Sequence, residues 1–366
     1  MTFKRNLEEN YIIHEGKKLS FGYTTGSCAA AASKAAAIMM FSGSTIDEVG
    51  LDTPGGVLLH LEVLDIQMDR AKTSCAIRKD GGDDPDATTG MLVYSTVERC
   101  REPGIHIQGG PGVGRVTKPG LDQNVGEYAI NHVPREMITK SLEEICASCG
   151  YTEGLTVTIS IPGGEITAEH TFNPRLGIEG GLSILGTSGI VVPMSEEALI
   201  KTIETEMSML ASAGKKDLLI SPGNYGKHFA MHELHREPDL ICSNFVGKTI
   251  DIAVNMGVRN ILFVAHIGKF IKVAGGIMNT HSRESDCRLE VLSACALTAG
   301  ADIQTALALL DAATTEDGVE ILKQSDCLED TMAIVKDRIL YYLDHRANGA
   351  IQFDVILFSN KEGRLI

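Results

Sequence analysis

The sequence predicts a two-domain protein of mixed α/β and α+β class. An N-terminal α+β domain is expected over residues 1–180, and a Rossmann-like α/β domain with a mostly parallel sheet over 181–366. Three observations carry this. The chain has 366 residues, more than one core comfortably serves. Its first half mixes short strand-like runs with glycine turns. Beyond Gly180 continuous apolar runs alternate with amphipathic helices, the pattern of a parallel sheet covered on both faces.

In the first half, SCAAAASKAAAIMMF (27–41) and PREMITKSLEEICASCG (134–150) read as helices, the second closed by Gly150. VLLHLEVLDIQMD (57–69) and LTVTISIPGG (155–164) alternate or carry β-branched residues and read as strands. In the second half LSILGTSG (182–189) is the first apolar run. The helix of 195–214 follows, with Ser195 as its N-cap and Gly214 at its end. DLLISPGNYG, DLICSNFVG and NILFVAHIGK are further runs, separated by the helices KHFAMHEL and KTIDIAVNMG. DCRLEVLSACALTAG and DTMAIVKDRILYYLDH continue as helices, and FDVILFSN (353–360) supplies a last strand.

Composition narrows the function. The 48 acids against 33 bases give a net charge of −15, which argues against nucleic acid or an anionic membrane as partner. No apolar run reaches membrane-spanning length, and the charged start MTFKRNLEENYIIHEGKK has no signal core, so a cytoplasmic protein is expected. Nine irregularly spaced cysteines fit reduced thiols. Cys146 and Cys149 form a CxxC with no second pair, so no zinc site is assigned. A homo-oligomer is compatible with all of this.

Ligands of doubly wound sheets sit at the carboxyl ends of the strands. The expected ends are GTSG (186–189), SPGNYG (221–226), SNFVG (243–247) and AHIGK (265–269), each pairing glycine with a hydroxyl, amide or imidazole. None has the GxGxxG or Walker pattern, so neither a standard NAD site nor a standard ATP site is supported. The segment 252–283 holds Arg259, Lys269, Lys272 and Arg283, with His266 and His281, and no acid in 32 residues. Exposed faces usually mix signs. Lysines aimed into a crevice would suit carboxylates or phosphates. GGPGVGRVTKPG (109–120) adds Arg115 and Lys118 on a loop with five glycines, and Arg135 extends that basic group. KDGGDDPDATTG (79–90) carries Asp80, Asp83, Asp84 and Asp86 without the order of an EF-hand loop. Thr24, Thr25 and Ser27 flank Gly26 at a helix start, a place for an anion or a polar ligand edge. The same field would activate Cys28, so a thiol-dependent transferase is one alternative.

Together GYTTGSCAAAASKAA, TPGG, KDGGDDPDATTG, GGPGVGRVTKPGL, AINHVPREMI, LGTSGIVVPMSEEALI, GNYG, SNFVG and HIGKFIKVAGGIMNTHSR resemble the CbiD family, in order from about residue 20 to 290. The pattern departs at His132, where proline is expected, and at Ser27. The resemblance implies a cobalt-precorrin-5B C(1)-methyltransferase of the anaerobic route to cobalamin, yielding cobalt-precorrin-6A. It implies S-adenosylmethionine as cosubstrate, a cobalt-bearing tetrapyrrole as partner, and no protein-bound metal, since the cobalt belongs to the substrate. By the strand-end rule S-adenosylmethionine is expected against Gly186, Thr187, Ser188 and Gly189 and against Ser221, Gly223, Asn224, Tyr225 and Gly226. Thr24, Thr25, Arg115, Lys118, Lys269, Lys272 and Arg283 are expected to meet the substrate, and His266 and His281 to handle protons. A tetrapyrrole carrier without catalysis is the other alternative. It would use the same cations and need no second ligand.

Overall fold

Alanine is the best helix former and carries almost no bulk, so the stretch behind Thr24 can fold as a helix that is covered on every side. Residues Thr25–Ser42 form this helix, α1. The Thr24 hydroxyl caps it by accepting from the Ser27 N–H at 3.2 Å, and Gly43 closes it at φ 71°. The protein is described here from a computed structural model, over residues 3–14, 16–69 and 71–366. The chain divides into two compact units, Met1–Ser195 and Glu196–Ile366, each mixed α/β.

In the first unit the main sheet has five strands: β1 (Leu64–Met68), β2 (Lys72–Arg78), β3 (Leu92–Cys100), β4 (Ile105–Gly109) and β5 (Gly154–Ser160). Their order is β1-β2-β3-β5-β4, antiparallel except for the β5–β4 pair. Helix α1 lies on β2 and β3 and packs against α2 (His132–Cys149). Small side chains make this possible. Ser33 Oγ is 2.8 Å from Ser95 Oγ, and the Cys75 thiol donates to the Ala32 carbonyl at 3.2 Å. Cys28, Ala29, Ala32 and Ala35 are all fully buried.

Three expectations change here. The run 57–69 is two strands that break at Val63 and pair with different partners, and the second carries a bulge between Leu64 and Gln67 where Asp65 adopts φ 48°. Leu58–Glu62 pairs with Glu48–Asp52, while β1 pairs with β2. The 155–164 run ends at Ser160, before the Pro162–Gly163 turn. The unit boundary falls at Ser195/Glu196 rather than 180/181, because LSILGTSG does not join the parallel sheet of the second unit. Gly181–Leu182 pairs with Gly112–Val113, and Ile190–Val191 pairs with Gly22–Tyr23.

The second unit begins with α3 (Glu196–Ser212), β6 (Asp217–Ser221), α4 (Asn224–Glu233), β7 (Leu240–Ile241), α5 (Val246–Asn255) and β8 (Asn260–His266). After β8 come α6 (Ile267–Phe270), a 3-10 turn at Ile271–Gly275, α7 (Arg288–Thr298), α8 (Ile303–Leu310), α9 (Thr315–Gln324) and α10 (Leu328–Ala347). Strands β9 (Gln352–Ser359) and β10 (Gly363–Arg364) end the chain. The sheet order is β7-β6-β8-β9-β10, with only β10 antiparallel. Leu218, Ile261, Phe263 and Val355 of the sheet share one core with Ile250, Leu292, Val335 and Ile339 of the helices.

Candidate active site

Strand order defines where the second unit can hold a ligand. Strand β6 lies between β7 and β8. From β6 the chain passes through α4 to β7 on one side; from β8 it passes through α6–α10 to β9 on the other. Connections that part in opposite directions leave a crevice at the carboxyl ends of β6 and β8. Tyr225, at the start of α4, and His266, at the end of β8, are in ring contact there, with centroids 5.9 Å apart.

The residues expected at SPGNYG divide by role. Gly223 has φ 172°, an extended backbone open to any residue, and a Cβ there would meet nothing within 4 Å. Asn224 is exposed, as is Tyr225 at 69%. Ser221 is buried and folds the loop: its hydroxyl donates to the Gly223 carbonyl at 2.9 Å and accepts from the Gly223 N–H at 3.3 Å. At Gly226 a Cβ would lie 2.1 Å from Ser221 Oγ and 2.3 Å from the Val264 carbonyl. This glycine seats α4 on the sheet.

His266 caps the short α6. Its Nδ1 accepts from the Gly268 N–H at 3.0 Å, which leaves the ring proton on Nε2, and Nε2 donates to Glu316 Oε1 at 2.9 Å. Both ring nitrogens of His266, expected from sequence to handle a proton, are thus engaged within the protein. Glu316 Oε1 also accepts from the Asn360 N–H at 2.9 Å. Its Oε2 is buried without a hydrogen-bond partner among the described residues. Sequence reasoning missed Glu316. Its place after the N-cap Thr314 reads as ordinary helix initiation, and His266 lies 50 residues away.

The two expected lysines separate. Lys272 is 3% exposed, and its ammonium donates to the carbonyls of Thr280 at 3.2 Å and Ser285 at 2.6 Å. It ties down the 280–285 segment and is not available to a substrate carboxylate. Lys269 is exposed and makes no ion pair among the described residues. Partial burial, then the charge of Lys272, hold its ammonium below the usual lysine range. His281 Nδ1 accepts from the Arg283 N–H at 3.1 Å, so a neutral His281 carries its proton on Nε2 and presents a donor. Arg283 itself is exposed.

In the first unit Thr24, Thr25 and Gly186–Gly189 do meet, but they lock onto one another. Thr25 Oγ1 accepts from the Leu185 N–H at 3.1 Å, and the Thr24 N–H donates to the Gly189 carbonyl at 3.1 Å. The Ser27 hydroxyl donates to the same carbonyl at 2.7 Å. A Cβ on Gly186 would strike Thr24, and one on Gly189 would strike Thr53 and Ser27. Both threonines are 5% exposed, so the start of α1 is filled by its own chain and not offered to a substrate. Thr187 and Ser188 lie in this same strap, and the Ser188 hydroxyl donates to the Ile190 carbonyl at 3.2 Å. Gly186–Gly189 and Ser221–Gly226 therefore belong to different units.

Arg115 is exposed, with its guanidinium 3.9 Å from the Tyr128 ring centroid. Lys118 lays its stem over Gly177. Arg135 donates to the Ile130 carbonyl at 2.8 Å. The aspartates of 80–86 hold the loop together. Asp83 accepts from the Ser20 N–H at 2.6 Å and Asp84 from the Met194 N–H at 3.0 Å, while Asp86 pairs with Lys79 at 2.9 Å. Cys28 is fully buried, and burial pushes its thiol up to about 12, so the helix field does not produce a thiolate. Cys28→Ala should leave kcat within about twofold of wild type. A loss of more than about 100-fold in a folded variant, read by product mass analysis and circular dichroism, would restore the thiol mechanism.

The topology defines an α/β protein whose second unit has a switch point at the carboxyl ends of β6 and β8, edged by Gly223 and Tyr225, with the buried Glu316 Oε2 and, on α6, Lys269, which forms no ion pair among the described residues. The sequence pattern described as CbiD matches residues 12–193, and that described as CbiD, C-terminal domain, matches 279–366. The chain belongs to the CbiD family. It is 46% identical to the cobalt-precorrin-5B C(1)-methyltransferase of Ruminiclostridium cellulolyticum, over 96% of this chain and 92% of that one. It is 48% identical to the protein of the same name from Thermoanaerobacter sp. strain X514, over 97% of both. A 1.9 Å crystal structure of the cobalamin biosynthesis protein cbiD from Archaeoglobus fulgidus is 26% identical, with a TM-score of 0.41, and covers 75% of this chain and 87% of its own.

Proposed function

We propose that this protein carries out the reaction its relatives are named for, methylation of C-1 of cobalt-precorrin-5B in cobalamin biosynthesis. The observation that carries the reading is identity of 46–48% along nearly the whole of both chains. We further infer that the methyl donor is S-adenosylmethionine, the product cobalt-precorrin-6A, the second unit Rossmann-like and the location cytoplasmic. No helix among the described residues is long and apolar enough to cross a membrane.

The crevice between β6 and β8 fits an adenosyl donor. Gly223 leaves open space, Tyr225 offers an exposed aromatic face, and Asn224 an exposed amide. S-adenosylmethionine supplies a methyl on a sulfonium that is already a good leaving group. The protein's part is then alignment, and orientation alone is worth up to roughly 7–11 kcal/mol. Lys269 and Arg283 are two of the exposed cations of the acid-free segment, both after β8, and suit the acetate and propionate arms of a tetrapyrrole; Arg259, also exposed, precedes β8. Such a transfer needs no side-chain nucleophile, in keeping with the sealed thiol of Cys28.

Incubation with methyl-labelled S-adenosylmethionine and cobalt-precorrin-5B should give a product heavier by one labelled methyl. No transfer, with both ligands bound, would leave a carrier. Gly223→Val tests the donor position. Its extended backbone and empty surroundings let valine fold there, so donor binding should fall below detection in calorimetry with the melting temperature unchanged. Unchanged binding would move the donor elsewhere.

A further inference from the structure

We propose that Glu316 accepts the vicinal ribose hydroxyls of a nucleoside whose base rests on Tyr225, with His266 in contact with both groups. This rests on the reading above, that the crevice takes an adenosyl donor. Three features point to it.

The first is the uneven use of one carboxylate. Glu316 Oε1 takes two donors, the His266 imidazole and the Asn360 N–H, both at 2.9 Å, while Oε2 is buried and takes none. An ionised carboxylate only accepts, so the missing partner must be a donor. The second is position. Glu316 is in the first turn of α9, and its two donors stand at the carboxyl ends of neighbouring parallel strands, His266 on β8 and Asn360 just after β9. The helix start favours the anion, and this end of the sheet is where such folds take ligands. The third is Tyr225, 69% exposed, whose ring also contacts the same imidazole, with centroids 5.9 Å apart. One imidazole thus contacts both an exposed aromatic ring, which suits a base, and the carboxylate with the open acceptor, which suits a diol. The loop after β6 lacks the GxGxxG phosphate pattern, and a carboxylate here disfavours added negative charge. An uncharged or cationic nucleoside therefore fits better than a nucleotide.

The test is calorimetry of wild type, Glu316→Gln and Gly223→Val with two probes, S-adenosylhomocysteine and its 2′,3′-dideoxyribosyl counterpart. In Glu316→Gln the amide oxygen can keep the donors of His266 and Asn360 while an NH₂ replaces the free acceptor, so the fold should survive, as the melting temperature will show. Wild type should prefer the riboside by about 10- to 100-fold, and Glu316→Gln should reduce that preference to under about threefold. A wild-type preference retained in Glu316→Gln would mean that a water alone fills the Oε2 position and would overturn the proposal; so would the absence of any ribose preference in wild type. Gly223→Val separates the two levels. Normal binding there refutes the donor position, whereas lost binding with intact ribose preference in Glu316→Gln refutes only the role of Glu316.

Discussion

Asp86→Asn should destabilise the N-terminal unit by about 3–5 kcal/mol, the usual cost of stranding a buried charge. The charge is that of Lys79, whose side chain is 1% exposed and whose ammonium meets Asp86 at 2.9 Å. Asparagine keeps the shape and an acceptor for Thr88 but removes the counter-ion. Urea unfolding should show a lower midpoint with an unchanged slope. A shift below about 1 kcal/mol would mean that water reaches Lys79, as at an exposed pair. The pair also predicts acid behaviour. Burial alone would raise the Asp86 carboxyl, but the Thr88 hydroxyl and Lys79 outweigh it and hold it below the usual range. A lowered folded value contributes stability above the unfolded pKa of about 3.9 and loses it as pH falls through the folded value. The wild type should therefore lose this contribution only in strong acid, and Asp86→Asn should lack that phase.

Lys269→Glu should weaken tetrapyrrole binding by about 100-fold or more, since it removes a charge-assisted contact and adds repulsion. Binding of S-adenosylhomocysteine should stay within about threefold, because the residue lies on α6 and outside the Ser221–Gly226 loop. Equal loss of both ligands would mean damage to the fold or a different role. A pH series gives a second reading. Partial burial and Lys272 lower the Lys269 pKa, and the bound form needs the cation. Tetrapyrrole affinity should therefore fall, as pH rises, earlier than the value of about 10.4 for a free lysine would give. Lys269→Arg should keep affinity and abolish that early fall.

Much of the second unit was legible because each strand and helix announces itself locally. NILFVAHIGK became Asn260–His266, and SEEALIKTIETEMSMLASAG became Glu196–Ser212. The carboxyl-end loops after β6, β7 and β8 were readable too, as glycine next to a polar residue. LSILGTSG misled because an apolar run does not say which sheet it joins. The hydroxyls of Thr24 and Thr25 misled because a helix start can be filled by its own chain as well as by a ligand. Lys269 and Lys272 looked alike at a spacing of three, yet one is exposed and the other ends in a cage of carbonyls.

By itself, then, the sequence determined the mixed α/β character, several helices and strands and the family, since these rest on periodicity, caps and ordered local motifs. Tertiary structure alone decided the crossing of connections at β6 and β8, the meeting of His266 with Glu316, and which cations remain unpaired. The reason is physical. Burial and hydrogen-bond partnership belong to pairs of groups brought together by the packed chain, and no single stretch of residues carries that information.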